Sequence, residues 1–536
     1  MPCNPCTIKT SIIMNITRYI NKAVLASSAF CSIAAVSIGT LASCDDFLDV
    51  RSETVAKEKE LFETKEGFQD ALTGCYEMLG AQSAYGRNLT FYMTDALANY
   101  WNLGLSMSSS LDVLKNIENF NYTNEEAKEL IKNSYQQLFR TILQSNIILK
   151  NLETNGKVIA DPALRAVIEG ESHAIRAYCQ FDILRLFGQI PQNATKQISL
   201  PYNESTSIYD LPPYYTFAEY VDKLKADLAK AESLLKDNDP VYTTYSFDQT
   251  MQIGSNVPTL QEEYLYYRRM RLNYWAVRAM QARLALYCGD KQNAHDIAME
   301  IINARNDSGE KVVELSGLSN LPMEANATAY PCLPGENLFS LSKYDLLSYA
   351  NQYFPLASIT QYALALSVAQ FDELYSGQAI ASDNRYAKWW RQCTSAQGAQ
   401  GKVLTKYYWN SNAENGTTGN IKFNLLIPMI RLSEIYLMAI ETSTDLSEAN
   451  RLYTEYMRSH NVLLTTDAFT SLEQIPAVIL AEYRREMIGE GAMFYVYKRL
   501  GSSTILWHSN TVSEKDYEIP LPDTELSDDK QNGNAR

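Results

Sequence analysis

Residues that could carry out acid–base chemistry are concentrated in the C-terminal third of this sequence. Arg431 and Glu434 lie in one apolar segment, and Arg484, Glu486 and Glu490 lie in or beside another. Two carboxyl groups that flank a glycosidic bond are the machinery of glycoside hydrolysis, and such pairs have no fixed sequence spacing. Both segments have helical patterns and no loop-lined cleft, so we interpret these residues as buried ion pairs.

Apart from a CxxC at Cys3 and Cys6, the sequence contains no metal-ligating or nucleotide-binding pattern. It contains four histidines, and none has a histidine or a cysteine four residues away. It contains no P-loop, no GxGxxG, no GxSxG and no HExxH pattern. We therefore predict no transition-metal site and no cofactor. A structural calcium at an Asp-rich loop stays an open alternative, because the sequence does not decide it.

The charge balance restricts the class of partner. The chain of 536 residues has 47 basic and 62 acidic side chains, which gives a net charge of −15. Such a balance argues against nucleic acid and against anionic membrane surfaces as partners. Tyrosine is abundant, with 36 residues against 17 phenylalanines. Tyrosine favours partly wet surfaces that contact sugars or peptides, although a helical core also contains it.

Residues 1–43 have the form of a lipoprotein signal peptide. The apolar run Ala23–Ala42 follows two basic residues and leads into the sequence LASC, which ends at Cys44. This tetrad looks like a lipobox, so we predict acylation of Cys44 and removal of the preceding residues, with Met14 as an alternative start. A spanning helix is the alternative that the length of the run permits. Residues 44–60 would then tether the body to a membrane, with the lipid as the only membrane contact.

The segment Leu164–Pro191 predicts a central packing helix. Asp161 and the proline after it form an N-terminal capping pattern, and Gly188 marks the end. Apolar residues cover most of the helix surface, which is typical of a helix surrounded by other helices. We interpret its four charged residues as paired struts in the core, and they are Glu171, Arg176, Asp182 and Arg185.

Two further segments, Arg268–Ile302 and Ile430–Arg458, each predict two helices joined by a tight turn. Small residues stand where the helices would cross, which is the logic of tetratricopeptide-type pairs, although the strict repeat consensus is absent. We predict an all-α fold in which helical hairpins form a scaffold. The scaffold comprises 61–302 and 428–500, a loop-rich insert occupies 303–427, and 61–536 forms one domain.

Several of these segments resemble the SusD/RagB family of Bacteroidetes lipoproteins. The run ESHAIRAYCQFDILRLFGQIP, which starts at Glu171, is similar to the family's signature helix. PMIRLSEIYL from Pro428, AEYRREM from Ala481 and EGAMF from Glu490 follow in the family's order. The chain departs from the family at Phe494, where FYVYKRLG replaces a run that usually carries Asp and Trp. The departure puts in doubt a contact that depends on those two residues, but not the fold.

This resemblance implies a function in nutrient uptake. The protein is expected to face the cell exterior, to capture an oligosaccharide or polysaccharide, and to deliver it to a SusC-like TonB-dependent transporter without catalysis. Peptide cargo remains open as an alternative, because some relatives carry it. A surface-tethered glycoside hydrolase and a helical scaffold without a small ligand are further alternatives.

The resemblance also implies where the ligand binds. In relatives, the segment after the second helix supplies an aromatic and a polar side chain, which implies Trp101 as a stacking platform and Asn99 or Asn102 as hydrogen-bonding partners. A tryptophan that anchors its own loop is the alternative for Trp101. Three aromatic residues of the insert are predicted to complete the ligand face, and they are Tyr330, Tyr353 and Trp390.

Overall fold

The chain divides into two compact units, residues 1–59 and 60–536. The computed structural model describes residues 57–106, 108–193, 195, 199–250, 259–316, 334–376, 382–407 and 425–523. Cys44, the signal peptide and Tyr330 lie outside these residues, so lipidation at Cys44 and a ligand contact by Tyr330 stay predictions.

Helices dominate the larger unit, and this confirms the predicted all-α class. In chain order the helices are α1 (Lys65–Leu79), α2 (Met93–Leu97), α3 (Asp112–Glu118), α4 (Glu125–Asn155), α5 (Pro162–Phe187), α6 (Phe217–Leu235), α7 (Tyr274–Tyr287), α8 (Lys291–Asn303), α9 (Leu346–Tyr353), α10 (Val368–Leu374), α11 (Asn384–Lys388), α12 (Leu432–Thr442), α13 (Leu446–Ser459), α14 (Ile475–Glu486) and α15 (Met493–Leu500). α1 begins after Thr64, whose hydroxyl caps it by accepting from the Gly67 amide at 3.0 Å.

The strands are short and pair only in antiparallel ladders in the part of the chain that the structure describes. They are β1 (Leu200–Pro201), β2 (Tyr214–Tyr215), β3 (Asn337–Ser342), β4 (Ala365–Ser367), β5 (Trp390–Thr394), β6 (Gln400–Leu404) and β7 (Leu426–Arg431). β1 pairs with β2, β3 pairs with β7, and β6 lies between β4 and β5. The predicted insert is therefore more regular than its sequence suggests, because elements this short give no readable periodicity.

α5 is the central helix that its sequence predicts. Every residue from Gly170 to Phe187 except His173 is buried, and the helix packs between α4 and α6. Asp161 caps it by accepting from the amides of Ala163 at 2.8 Å and Leu164 at 3.3 Å. Its charged residues are ion-paired within the core, as predicted. The pairs are Glu171 with Arg268, Arg176 with Asp227, and Asp182 with Arg185.

The two predicted hairpins are present and stack on each other. α7 and α8 form the first and turn at Gly289, whose φ of +81° favours glycine. α12 and α13 form the second, and α8 packs on α12. His295 of α8 contributes to this contact because its Nδ1 lies 3.1 Å from the Ala439 carbonyl oxygen.

The departure from the family at Phe494 leaves the helix in place. Its lysine, Lys498, is buried in α15, and its Nζ donates to the carbonyl oxygens of Leu186 at 3.1 Å and Tyr517 at 2.7 Å. Leu186 belongs to the last turn of α5, where carbonyl groups lack helical partners. Lys498 therefore satisfies the end of the central helix and joins it to the C-terminal segment, residues 501–523.

A buried ion-pair network joins the insert to the C-terminal helices. Arg385 contacts Glu482 at 2.9 Å and Glu486 at 3.0 Å. Arg431 contacts Glu486 at 2.6 Å and Glu490 at 2.9 Å. All five side chains are buried or nearly so. These contacts confirm the interpretation as ion pairs for Arg431, Glu486 and Glu490, whereas it is wrong for Arg484, which is partly exposed and has a tyrosine hydroxyl as its partner.

The partners within this network differ from the nearest ones in sequence. Arg431 also contacts Glu336 of the insert at 2.7 Å, whereas Glu434 accepts from Arg283 of α7 at 2.6 Å. Arg484 donates to the Tyr497 hydroxyl at 2.9 Å. The spacing of residues along one helix therefore does not predict the partners of these charged residues, because long side chains form ion pairs with residues of other helices and strands.

Replacing Arg385 by methionine is expected to lower the free energy of unfolding by about 3–5 kcal/mol, because Asp383, Glu482 and Glu486 would lose a cation while they stay buried. Denaturant unfolding followed by circular dichroism measures the change. Arg451→Met is the matched control, since its pair with Glu455 is exposed and contributes at most about 0.5 kcal/mol. Equal losses in the two variants would contradict the importance of the network.

The junction of α5 and α6 predicts a dependence of stability on acid pH. Burial raises the pKa of Asp227, but hydrogen bonds from Arg176 and His173 outweigh it and lower the pKa from 3.8 to about 2. The native state thus favours the charged form, so this contribution is present above pH 4 and is lost as pH falls towards 2. It amounts to about 2 kcal/mol.

Asp227→Asn is therefore expected to destabilise the protein most at pH 4 and above. The difference from the parent protein should narrow as pH falls, in denaturant titrations at pH 5, 4, 3 and 2. The control is Asp222→Asn on the same helix, where the exposed side chain predicts a small change. A difference that stays constant over this pH range would contradict the assignment to Asp227.

Candidate functional site

The loop between α2 and α3 contains three of the residues predicted to bind ligand. Its backbone is held by the insert, since the Asn102 amide donates to the Ala365 carbonyl oxygen at 2.8 Å. Its beginning is held by the C-terminal segment, since Asn99 Nδ2 donates to the Leu506 carbonyl oxygen at 3.1 Å. Asn99 has a φ of +55°, a conformation that asparagine tolerates better than most residues. Three distant parts of the chain thus meet at this loop.

α2, the helix before this loop, is fixed by a buried carboxylate. Asp95 accepts from the backbone amides of Gly489 at 2.7 Å and Gly491 at 3.0 Å. Both glycines have positive φ, and a Cβ on Gly491 would lie only 2.4 Å from the Leu89 carbonyl oxygen. The corner between α14 and α15 therefore needs glycine there and orients α2 through Asp95.

Trp101 does not serve as a stacking platform, so this prediction is wrong. Only 2 % of its surface is exposed, and its Nε1 donates to the Phe91 carbonyl oxygen at 2.8 Å. Its ring packs at 5.6 Å from the Phe354 ring of the insert. A ring covered by protein offers no face to a sugar. Trp101 instead anchors its own loop, which is the alternative that the sequence left open.

Trp390 is also a packing residue, and its predicted role in the ligand face is corrected. It is the first residue of β5, 8 % exposed, and its Nε1 donates to the Tyr375 hydroxyl at 3.1 Å. Its ring lies edge-on to Phe371 of α10 at 5.5 Å. The side chain of Trp390 points from β5 towards α10. The sequence does not reveal this direction, because the strand is too short for a readable periodicity.

Tyr353 lies at a surface cluster, with its ring buried and its hydroxyl bonded to a cation. Its ring contacts Phe91 at 5.6 Å and Tyr92 at 5.5 Å, and only 4 % of the residue is exposed. Its hydroxyl accepts from Arg87 Nη1 at 3.1 Å. The structure thus leaves no ring face of Tyr353 for stacking, but it brings the hydroxyl beside a guanidinium group.

We name the surroundings of Tyr353 the tyrosine–arginine cluster, which comprises Gln82, Arg87, Tyr92, Tyr349 and Tyr353. The guanidinium carbon of Arg87 lies 4.6 Å from the centroid of the Tyr92 ring. Gln82 Nε2 donates to the Tyr349 hydroxyl. Burial raises the pKa of Tyr92 to about 12, so its hydroxyl stays protonated at neutral pH. Sequence reasoning named only Tyr353 of this group, because the other members lie in different segments.

Asn99 and Asn102 belong to a second group, the Asn102–Trp507 cluster, which comprises Asn99, Asn102, Gln370, Glu373 and Trp507. Asn102 Nδ2 donates to Gln370 Oε1 at 3.1 Å, and Trp507 Nε1 donates to Glu373 Oε2 at 2.9 Å. Gln370 and Glu373 both belong to α10, and Asn99 bonds the carbonyl group next to Trp507. The two predicted asparagines are thus brought beside an aromatic residue that the prediction did not include.

Trp507 is the aromatic residue that sequence reasoning missed. Of the tryptophans that the structure describes, it alone is partly exposed. Its φ of +65° is unusual for a bulky side chain and indicates a conformation imposed by its surroundings. A tryptophan within a Gly-, Ser- and Asn-rich stretch is a readable signal, since such a residue is either packed or functional.

Known proteins are similar to parts of this chain. A family model described as SusD-like, starch-binding associating with outer membrane, matches residues 46–250. The curated SusD-like protein P38 of Formosa agariphila is 25 % identical over 215 residues, which is 40 % of this chain and 38 % of the relative. SusD-like protein P25 of the same organism is 24 % identical over 28 % of each chain. These alignments thus cover less than two fifths of either relative.

Solved structures extend the similarity to the whole fold. A SusD superfamily protein from Bacteroides thetaiotaomicron aligns with a TM-score of 0.63 and 22 % identity, over 87 % of this chain and 98 % of that protein. Surface glycan-binding protein A of the same organism, in complex with laminarihexaose, aligns with a TM-score of 0.61 and 16 % identity over 86 % and 97 %. The predicted resemblance to the SusD-like family is confirmed.

Two further properties concern the described residues. No helix among the described residues is long and apolar enough to span a bilayer. Within the same residues, no group of three or more His, Cys, Asp or Glu side chains is arranged to hold a metal ion.

The backbone of the Asn99 loop generates a prediction about stability. Asn99→Ala removes the hydrogen bond to Leu506 and also places alanine, which disfavours positive φ, at a φ of +55°. Asn99→Gly removes only the hydrogen bond, because glycine adopts positive φ without strain. We expect the alanine variant to be about 1 kcal/mol less stable than the glycine variant in chemical denaturation. A glycine variant at least as unstable as the alanine variant would contradict a strained loop.

Proposed function

We propose that this protein is a surface glycan-binding lipoprotein of the outer membrane. It captures an oligosaccharide or polysaccharide and presents it to a SusC-like TonB-dependent transporter. The family description, starch-binding associating with outer membrane, supports the ligand class and the location. The laminarihexaose complex of a protein with the same fold supports glycan binding by this architecture. Acylation of Cys44 and delivery to the transporter rest on the sequence resemblance.

The Asn102–Trp507 cluster is the surface that we assign to the sugar. Pyranose rings present apolar C–H faces, which pack on an indole, and hydroxyl groups, which bond to amides and carboxylates. The cluster combines a partly exposed indole with two asparagines, a glutamine and a glutamate. The observation that carries the assignment is the position of Trp507, because its bond to Glu373 and its unusual backbone hold the ring in place before any ligand arrives.

The candidate acid–base residues support binding rather than hydrolysis. Glu486 is completely buried, and Glu490 is nearly so. Both bond to buried cations, Arg431 and Lys406 among them. A carboxyl group held this way has no access to a polysaccharide. In this proposal these glutamates stabilise the fold, and the surface clusters bind the ligand.

Trp507→Ala is expected to weaken glycan binding about tenfold, which corresponds to about 1.4 kcal/mol, because the mutation removes the stacking face. Affinity gel electrophoresis and calorimetry with laminarihexaose and a panel of soluble polysaccharides measure the change. Trp507→Phe should recover part of the affinity, since it keeps a ring. Tyr209→Ala is the matched control, because it removes a ring that is 70 % exposed in the connection between β1 and β2.

Three results separate the proposal from its alternatives. Unchanged affinity in Trp507→Ala, with unchanged thermal stability, would contradict the assignment of the sugar to this cluster. Release of shorter oligosaccharides during incubation would indicate a hydrolase. Binding of peptides in place of every polysaccharide in the panel would indicate peptide cargo.

A further inference from the structure

The tyrosine–arginine cluster contains a guanidinium group without a carboxylate partner among the described residues. Arg87 Nε donates to Asn88 Oδ1 at 2.9 Å and its Nη1 donates to the Tyr353 hydroxyl at 3.1 Å. Neither acceptor carries a charge, and Nη2 has no acceptor in the same part of the chain. Arg87 is also partly exposed, so a ligand can reach it.

Several arginines buried in the core, in contrast, are paired with carboxylates. Arg176, Arg185, Arg268, Arg283 and Arg431 each contact at least one carboxylate. Lys343, whose Nζ lies 4.8 Å from the Tyr349 ring centroid, is matched by Asp345 at 2.8 Å. The charge of Arg87 is therefore the one in this cluster that no carboxylate of the described chain compensates.

The tyrosine hydroxyls of the cluster add donors of the same kind. The Tyr349 hydroxyl accepts from Gln82 Nε2, and the Tyr353 hydroxyl accepts from Arg87 Nη1. A phenol has one proton to donate, and neither proton has an acceptor among the residues described. The two residues are four positions apart on α9, so their side chains are neighbours on one helix face.

The cluster thus offers two hydroxyl donors and a guanidinium nitrogen, and none of its five side chains carries a negative charge. Ligand atoms that match such a set are anionic oxygens, since charge-assisted hydrogen bonds to a carboxylate or a sulfate are shorter and stronger than neutral ones. A neutral sugar hydroxyl would satisfy the donors but would leave the charge of Arg87 unpaired.

We propose that this cluster binds an acidic group of the captured glycan, either the carboxylate of a uronic acid or a sulfate ester. The inference rests on the proposed glycan-binding function and adds the ligand class to it. It gives the chain a local preference for acidic glycans despite its net charge of −15. The preference is short-range, because ions screen exposed charges over about 8 Å at physiological salt.

The test compares three oligosaccharides of equal length by calorimetry: a neutral glucan, the same glucan with sulfate esters, and an oligouronide. The full mature chain is titrated with each, as is the double variant Tyr349→Phe with Tyr353→Phe. This variant removes both donor protons and keeps both rings packed. We expect the ratio of acidic to neutral affinity to fall about tenfold in the variant. The two acidic arms decide between carboxylate and sulfate.

Two further variants control for other effects. Arg87→Gln should lower the same ratio and should also remove its dependence on salt between 50 and about 500 mM. Tyr209→Phe, an exposed tyrosine in another part of the chain, should leave the ratio unchanged. Thermal unfolding of each variant verifies that the fold is retained.

The outcomes separate this inference from the proposed function. Binding of the neutral glucan with no preference for either acidic ligand would overturn the inference and leave the glycan-binding function in place. A preference for acidic ligands that both the double variant and Arg87→Gln retain would also overturn it. Failure to bind any of the three oligosaccharides would count against both proposals.

Discussion

The buried contact between Arg431 and Glu486 is the constraint on which the arrangement of the larger unit depends. Arg431 stands where β7 meets α12, and Glu486 is the last residue of α14. Around this pair the insert contributes Glu336, Arg385 and Lys406. A charge removed from water costs several kcal/mol unless opposite charges and hydrogen bonds surround it. The insert and the C-terminal helices therefore have to come together in one arrangement.

The network also includes a buried histidine. Five carboxylates meet four permanent or near-permanent cations, namely Asp383, Glu482, Glu486, Glu490 and Glu336 against Arg385, Arg431, Arg485 and Lys406. His460 Nε2 lies 3.1 Å from Glu486 Oε2. Burial raises the pKa of Glu486, yet His460 and Arg431 outweigh it and hold the pKa well below the usual range. At Glu336 the balance is the reverse, since burial together with the charge of Glu486 raises its pKa despite Arg431.

The buried Trp101 packs in the interior, whereas the partly exposed Trp507 lies at the surface. Trp101 joins the loop after α2 to the aromatic core around Phe91 and Phe354, and so keeps the neighbouring Asn102 at the surface. Trp507 comes from the opposite end of the chain and bonds to α10 of the insert. The tyrosine–arginine cluster contacts the same aromatic core, because the Tyr353 ring packs on Phe91. The packed aromatic interior thus holds in place the loop that carries Asn102.

The sequence alone determined the helical class, the central helix, the hairpins and the paired state of the buried charges, because each of these depends on local periodicity, capping or the cost of an isolated charge. Asp161 and Gly188, for example, delimit α5 closely without reference to any other element. Only the tertiary structure decided which tryptophan is exposed and which acid each arginine meets. Trp101, Trp390 and Trp507 all stand in irregular or very short elements, where no period indicates the direction of a side chain. Arg431 and Glu336 are distant in sequence but 2.7 Å apart in space, and such pairings come from packing between elements.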